Sequence, residues 1–188
     1  MAVDRQSQSY TLSDYGGAAS KPISGRKMTP TECVRRFEEL KARRQTWEYH
    51  WQELAEYIMP DKSDITVVDY PGVKKNVHLF DNTAMMSNEL LAGEMHGQLT
   101  NPAVKWFELT TGDINLDNMG GVRRWMQEVE WAAHGIINGS NFQTEVHQFY
   151  LDLTCFGTAS MSIEEDDETI VRFRSRHIRN IYFRENAH

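Results

Sequence analysis

The feature that most constrains this chain is one run of helical periodicity between Thr29 and Pro60. Positions 33, 37, 40, 44, 47, 51, 54 and 58 advance by alternating steps of four and three. They hold Cys33, Phe37, Leu40, Arg44, Trp47, Trp51, Leu54 and Ile58, so seven of the eight are apolar and one stripe faces a partner. Thr29 can cap, Pro30 suits the first helical position, Glu32 stands where a capping-box carboxylate belongs, and Pro60 marks the end. At 1.5 Å rise per residue the helix is about 45 Å long, which suits a strut better than a small globule. Burying about 200 Å² of Trp47 or Trp51 yields roughly 5 kcal/mol each before entropic costs. Arg44, the lone charge of the stripe, is a candidate for a paired charge at a packing seam, unless its stem snorkels outward.

The pattern then changes. Residues 61–80 read as extended, with short β-rich runs at 65–68 and 73–80 separated by a turn at Tyr70-Pro71-Gly72. A second helix is expected from Asn82 to Leu99, capped by Asp81 and stopped by Asn101-Pro102. Its Gly93 and Gly97 share one face, which predicts a close packing contact there. Trp106 to Leu109 reads as a short strand and Asp113 to Asp117 as a loop. A third helix covers 118–138 with Val122, Met126, Val129, Ala133 and Ile136 or Ile137 on one face, and Gly139 stops it. Ser140 caps a fourth, whose apolar side is Phe142, Val146, Phe149, Tyr150 and Leu153; Gly157 ends it.

A hairpin follows, with Met161 and Ile163 on one strand, Val171 and Phe173 on the other, and Glu164 to Glu168 as an acidic tip. Arg172, Arg174 and Arg176 alternate with the apolar residues and share the opposite face. They can touch phosphates, pair with the acidic tip, or meet a neighbouring subunit. The structural options are favoured, because three arginines without interleaved aromatics make a weak nucleic-acid signature. Ile178 to Phe183 reads as a strand and 184–188 as the turn leaving it, which predicts that further chain follows. The fold class is α+β: a long first helix, three further helices and short antiparallel strands. Residues 1–28, rich in Ser, Gln, Gly and Tyr without apolar periodicity, read as a flexible N-terminal arm, leaving 29–188 as a partial domain.

Chemistry is hard to place on this chain. Its seven histidines show no paired helical spacing with a nearby glutamate, and no C-x-x-C occurs. Glu53 with Glu56 and Glu128 with Glu130 read as solvated helix faces. There is no G-x-S-x-G and no phosphate-cradling glycine loop. No enzyme activity, cofactor or metal is expected. A formal net charge of −7 argues against broad wrapping of nucleic acid. Two isolated cysteines, Cys33 and Cys155, form no disulfide framework, and with no apolar leader and no membrane-length stretch the expectation is a soluble intracellular product without a membrane anchor.

The order of landmarks adds a further reading. Arg43-Arg44, Trp47, Tyr57 and Met59-Pro60 come first. They are followed by Asp81-x-Thr83-Ala84, Leu90-Leu91-Ala92-Gly93, Leu99-Thr100-Asn101-Pro102, Trp106-Phe107, Trp125, Ser140-Asn141-Phe142 and Phe156-Gly157-Thr158. This succession, over about residues 30–185, resembles the head-to-tail connector (portal) protein of short-tailed bacteriophages. The resemblance implies a homo-oligomeric ring, usually dodecameric, at the head–tail vertex of a virion assembled in the host cytoplasm. Double-stranded DNA would pass through it in packaging and ejection. The packaging motor (terminase), tail adaptor, capsid and scaffolding proteins would be its partners. It further implies that this piece is the outer, wing-like part of a subunit, with the channel-lining helix beyond His188. Arg44, Trp47, Trp51, Trp106 and Phe107 are the candidate subunit-packing residues, and Arg172, Arg174 and Arg176 the candidate phosphate- or neighbour-contacting ones. The competing functions are a nucleic-acid-binding module using that arginine face, and a hydrolase whose site lies elsewhere in a longer chain.

Overall fold

A computed structural model of the chain describes residues 29–68, 70–75 and 77–183. The arm expected over 1–28 and the turn expected over 184–188 lie outside them. Five helices are present among the described residues: α1 (Pro30–Ile58), α2 (Thr83–Leu99), α3 (Ile114–Asp117), α4 (Gly120–Gly139) and α5 (Phe142–Phe156). Strands β1 (Ser160–Asp166) and β2 (Ile170–Arg176) form one antiparallel hairpin, and single 3-10 turns stand at Pro60–Lys62 and Ile178–Asn180. The α+β class and the long first helix are as the sequence predicts.

Helix α5 contributes to both apolar clusters. Phe142, Val146, Tyr150 and Leu151 join Ala92 of α2 and Phe173 of β2 in one apolar cluster. Cys155 and Phe156 join Trp51 and Ala55 of α1, Ile65 and Ile178 in another. Seven of its fifteen residues are buried, including Asp152, because neighbours cover it on several sides. Of the apolar side expected from spacing, Phe142, Val146 and Tyr150 are buried and Phe149 and Leu153 half-buried; Leu151, Cys155 and Phe156 form a second face. Gly157 ends the helix in the left-handed region at φ 70°, where a side chain is disfavoured.

The helix starts follow local chemistry. In the first turns of α1 the Glu32 amide donates to Thr29 Oγ1 at 3.3 Å, and the Glu32 carboxylate accepts from Arg36 at 2.9 Å. Before α2 the Asp81 carboxylate accepts from the Thr83 amide at 3.0 Å. The Ser140 hydroxyl accepts from the Phe142 amide at 3.2 Å.

Several expected elements do not form. The described residues of 65–68, 73–80 and 106–109 make no ladder; among the described residues β1–β2 is the only pairing. Extended propensity without a partner strand leaves open chain, since a strand is completed by its neighbour. The Tyr70-Pro71-Gly72 turn is present, with the Val73 amide donating to the Tyr70 carbonyl at 3.2 Å and Gly72 at φ 90°. Residues 114–117 form one helical turn instead of a loop. Asp113 accepts from the Asn115 amide at 2.9 Å, while Asp117 accepts from the Thr111 hydroxyl at 2.7 Å. Gly93 and Gly97 have open space where a Cβ would stand, so the close contact expected there is not made among the described residues. Residues 178–183 form a 3-10 turn and open chain in place of a strand.

Candidate assembly surface

The first helix turns two kinds of residue in two directions. Arg44 is buried, and its guanidinium is consumed within its own chain. Nη1 donates to the carbonyls of Ile178, Arg179 and Ile181 at 3.1, 3.1 and 2.6 Å. Nε and Nη2 donate to Glu48 Oε1, one turn further along, at 2.8 and 2.6 Å. The group also lies 3.9 Å over the Tyr182 ring, which packs edge-on against Phe37 at 4.8 Å. A planar five-donor fork suits this task, because it reaches several carbonyls and a carboxylate at once. Trp51 is buried, whereas Trp47, stacked on it at 6.3 Å, is 59% exposed. The stripe therefore does not bury as a unit. The buried residues of α1 are Arg44 and Trp51 of the stripe together with Gln52 and Ala55 beside it, and the burial energy expected for Trp47 is not collected among the described residues. Leu40, Arg43, Trp47, Phe156 and Phe183 line an open groove of about 540 Å³ beside it.

Trp106 and Phe107 belong to an aromatic ladder. Phe173 meets Phe142 at 4.9 Å; Phe142 stacks on Trp106 at 5.7 Å with 6° between the rings. Trp106 meets Phe107 at 4.9 Å, and Phe107 stacks on His134 of α4 at 4.1 Å. Both residues are half-buried in their own chain. Next to them Lys105 donates to Glu130 at 2.6 Å and sits 4.3 Å over the ring of Trp131. The Lys105 hydrogen bond holds the Glu130 carboxyl below the usual glutamate range, against the opposing effect of desolvation. Trp131 is 68% exposed, and Trp125 on the same helix is also exposed.

The three arginines share one face of the hairpin with the residues opposite them: Arg176 with Ser160, Arg174 with Ser162, Arg172 with Glu164. Arg176 bonds Glu164 at 2.7 Å, Arg174 lies 3.9 Å from Glu164, and Arg172 4.0 Å from Asp166. All three charges thus have a carboxylate on the same hairpin. Asp166 accepts from the Thr169 hydroxyl at 2.8 Å and amide at 3.0 Å, which holds its carboxyl below the usual range. The acidic segment is accordingly not a free tip: Glu164, Glu165 and Asp166 are strand residues, and the turn is 167–169.

Spacing did not reveal the polar residues that hold these parts in place. Gln52 on α1 uses both ends of its amide: Oε1 accepts from the amides of Ile65 and Thr66 at 3.0 Å each, and Nε2 donates to the Ser63 carbonyl at 2.6 Å. Asp152, 1% exposed, pairs with Lys62. Arg179 pairs with Asp64 at 2.6 Å. Asn141 donates to the Phe173 carbonyl at 2.7 Å and accepts its amide at 2.8 Å, standing in for a third strand. A buried polar residue in an otherwise apolar stripe was the available signal, and it pointed to Arg44 alone. No group of three or more potential metal ligands is assembled among the described residues, and no helix there is long and apolar enough to cross a membrane.

The frame is clasped from within by charged and amide side chains, and it leaves large aromatics exposed on its helices. The chain belongs to the family of bacteriophage head to tail connecting proteins, which it matches over residues 30–188. It is 33% identical over 141 residues to a protein named "Probable portal protein" of Bordetella phage BPP-1, and 30% identical over 140 residues to the "Portal protein" of Salmonella phage epsilon15. Each alignment covers 74% of this chain and 25% of the relative, so the aligned part amounts to about a quarter of those proteins.

Proposed function

We propose that this chain is the outer, wing-like part of a portal subunit, a structural component of a homo-oligomeric, dodecameric ring at the head–tail vertex of a virion assembled in the host cytoplasm. In this reading the ring conducts double-stranded DNA during packaging and ejection. It presents docking surfaces to the packaging terminase, the tail adaptor, and the capsid and scaffolding proteins. The subunit acts mechanically and catalyses nothing.

One observation carries the proposal: the family match runs unbroken from 30 to 188, across all five helices and the hairpin. The arrangement of side chains supports it. A ring subunit meets its two neighbours through two different surfaces. Exposed Trp47 on α1 and exposed Trp125 and Trp131 on α4 offer apolar area on separate rigid helices. Pairing of Arg172, Arg174 and Arg176 with Glu164 and Asp166 favours a structural role for that face over phosphate binding. Electron microscopy of the complete gene product tests the reading. Closed rings are expected; particles that stay monomeric at every concentration overturn it.

A further inference from the structure

Both ring nitrogens of His177 are committed, and together the two bonds define one protonation state. Nδ1 accepts from the Arg179 amide at 3.0 Å, at the start of the 3-10 turn Ile178–Asn180. A backbone amide only donates, so Nδ1 carries no proton. Nε2 lies 3.2 Å from the Lys62 carbonyl, which only accepts, so Nε2 carries a proton and donates it. The imidazole is therefore neutral and held in a single tautomer, half-buried against the Phe156 ring at 6.3 Å. A second proton, at Nδ1, would point at the Arg179 N–H and leave that donor without an acceptor.

The turn that this ring caps is the one that receives the Arg44 clasp. Its own bonds are two: the Asn180 amide donates to the His177 carbonyl at 3.0 Å, and the Ile181 amide to the Ile178 carbonyl at 3.2 Å. The carbonyls of Ile178, Arg179 and Ile181 accept from Arg44, and the Ile178 side chain packs with Trp51, Ala55 and Cys155. Loss of the cap therefore acts on the segment that α1 holds.

The charged groups around the ring do not welcome a further charge. Asp64, 3.4 Å from Nε2, would favour a cationic imidazole, but Arg179 already pairs with it at 2.6 Å. Lys62 opposes one and is paired with Asp152 of α5. On α1 Glu48 pairs with Arg44, and in the hairpin Glu164 pairs with Arg176, the residue before His177. Each of these four carboxylates has a cation of its own, so none is left over to balance a charged imidazole. Burial keeps the nearby Cys155 of α5 as a neutral thiol.

We propose that His177 is a proton-operated latch: the neutral ring closes the 178–180 turn onto α1, and uptake of a proton at Nδ1 releases it. The proton comes from solvent and enters the lone pair that the Arg179 amide used. The closed turn excludes that proton and the open turn accepts it, so opening is favoured as pH falls. An exposed histidine titrates near ~6.5, which makes the open turn about tenfold more populated at pH 5.5 than at pH 7.5. The latch needs no second subunit, so it stands apart from the assembly proposed above.

Hydrogen exchange of the complete gene product tests it, read by mass spectrometry over residues 177–183 and corrected for the intrinsic rate at each pH. Protection there should fall about tenfold between pH 7.5 and pH 5.5, while β1, which contains no histidine, keeps its own. His177→Asn offers the Arg179 amide an oxygen acceptor that does not titrate, and His177→Gln is a second variant without a titrating ring. Circular dichroism checks that they fold, and protection of the same segment in either should be independent of pH over this range. Equal protection of the parent at both pH values overturns the latch. So does a variant that loses as much protection as the parent, because another group then carries the proton. A fall shared equally by β1 overturns it too, since the whole domain then loosens and not one turn.

Discussion

Replacing Arg44 with methionine is the sharpest test of the clasp that joins α1 to the segment after β2. Methionine keeps much of the volume and removes every donor. Three carbonyls and one carboxylate lose their partner. The carbonyls are not equivalent. Ile178 is 2% exposed and cannot be rehydrated in place, whereas Arg179, Ile181 and Glu48 are half-buried, and water can reach them. A hydrogen bond to a charged group contributes about 1.5–3 kcal/mol, and a buried polar group left unpaired costs about 1–3 kcal/mol. Counting the Ile178 bond in full and the others at a fraction gives about 3–4 kcal/mol, within the range for breaking a buried charged pair by removing one partner. For a chain of this size that lowers the melting temperature by roughly 10 °C. Urea titration followed by circular dichroism reads the loss, and hydrogen exchange should localise it to 178–182. Arg44→Lys should recover less than half, since an ammonium cannot span the same set of acceptors. Adding Glu48→Gln to R44M should return about 1 kcal/mol by removing the stranded charge. If R44M melts within about 1 kcal/mol of the parent, the clasp does not hold this segment and the reasoning fails.

Three further outcomes are expected. Ile170→Gly relieves the left-handed strain at φ 70° and should stabilise the protein by about 1 kcal/mol in thermal melts; destabilisation would mean that the exposed isoleucine makes a contact worth more than its strain. Because hydrogen bonds from Thr169 depress the folded-state value of Asp166, its contribution is present above the ordinary aspartate range and is lost as pH falls through the lowered value. Thr169→Ala should raise the Asp166 midpoint in an NMR titration, and Asp166→Asn should flatten that part of the acid limb. Burial pushes the Cys155 thiol up to about 12, whereas Cys33 is exposed, so a thiol reagent at pH 8 should modify one cysteine per native chain and both after denaturation.

The helices were legible because their signals are local. Thr29-Pro30, Asn101-Pro102 and the Gly157 stop act through the conformation of adjacent residues, and the α4 stripe of Val122, Met126 and Val129 was read from its own period. The alternation of Val171 and Phe173 with the arginines likewise predicted which hairpin residues share a face. The failed strands at 65–68, 73–80 and 106–109 had the composition of strands without the pairing that makes one. Gly93 and Gly97 signalled close packing, but among the described residues nothing stands within 4 Å of where a Cβ would be.

Periodicity and capping residues alone determined that this chain makes a long first helix, later helices and a terminal hairpin, since each follows from side chains within a few positions of one another. The order of its landmarks also sufficed to indicate its family. Which face of each element turns inward was decided only in three dimensions. Spacing marked Arg44 as the lone charge of its stripe, but only the fold shows that carbonyls 134 to 137 residues away in the chain accept from it, and that Trp47 lies exposed while Trp51 is buried. The reason is physical: a buried charge or amide is tolerated only where distant backbone groups converge on it, and that convergence is a property of the folded chain rather than of any stretch of sequence.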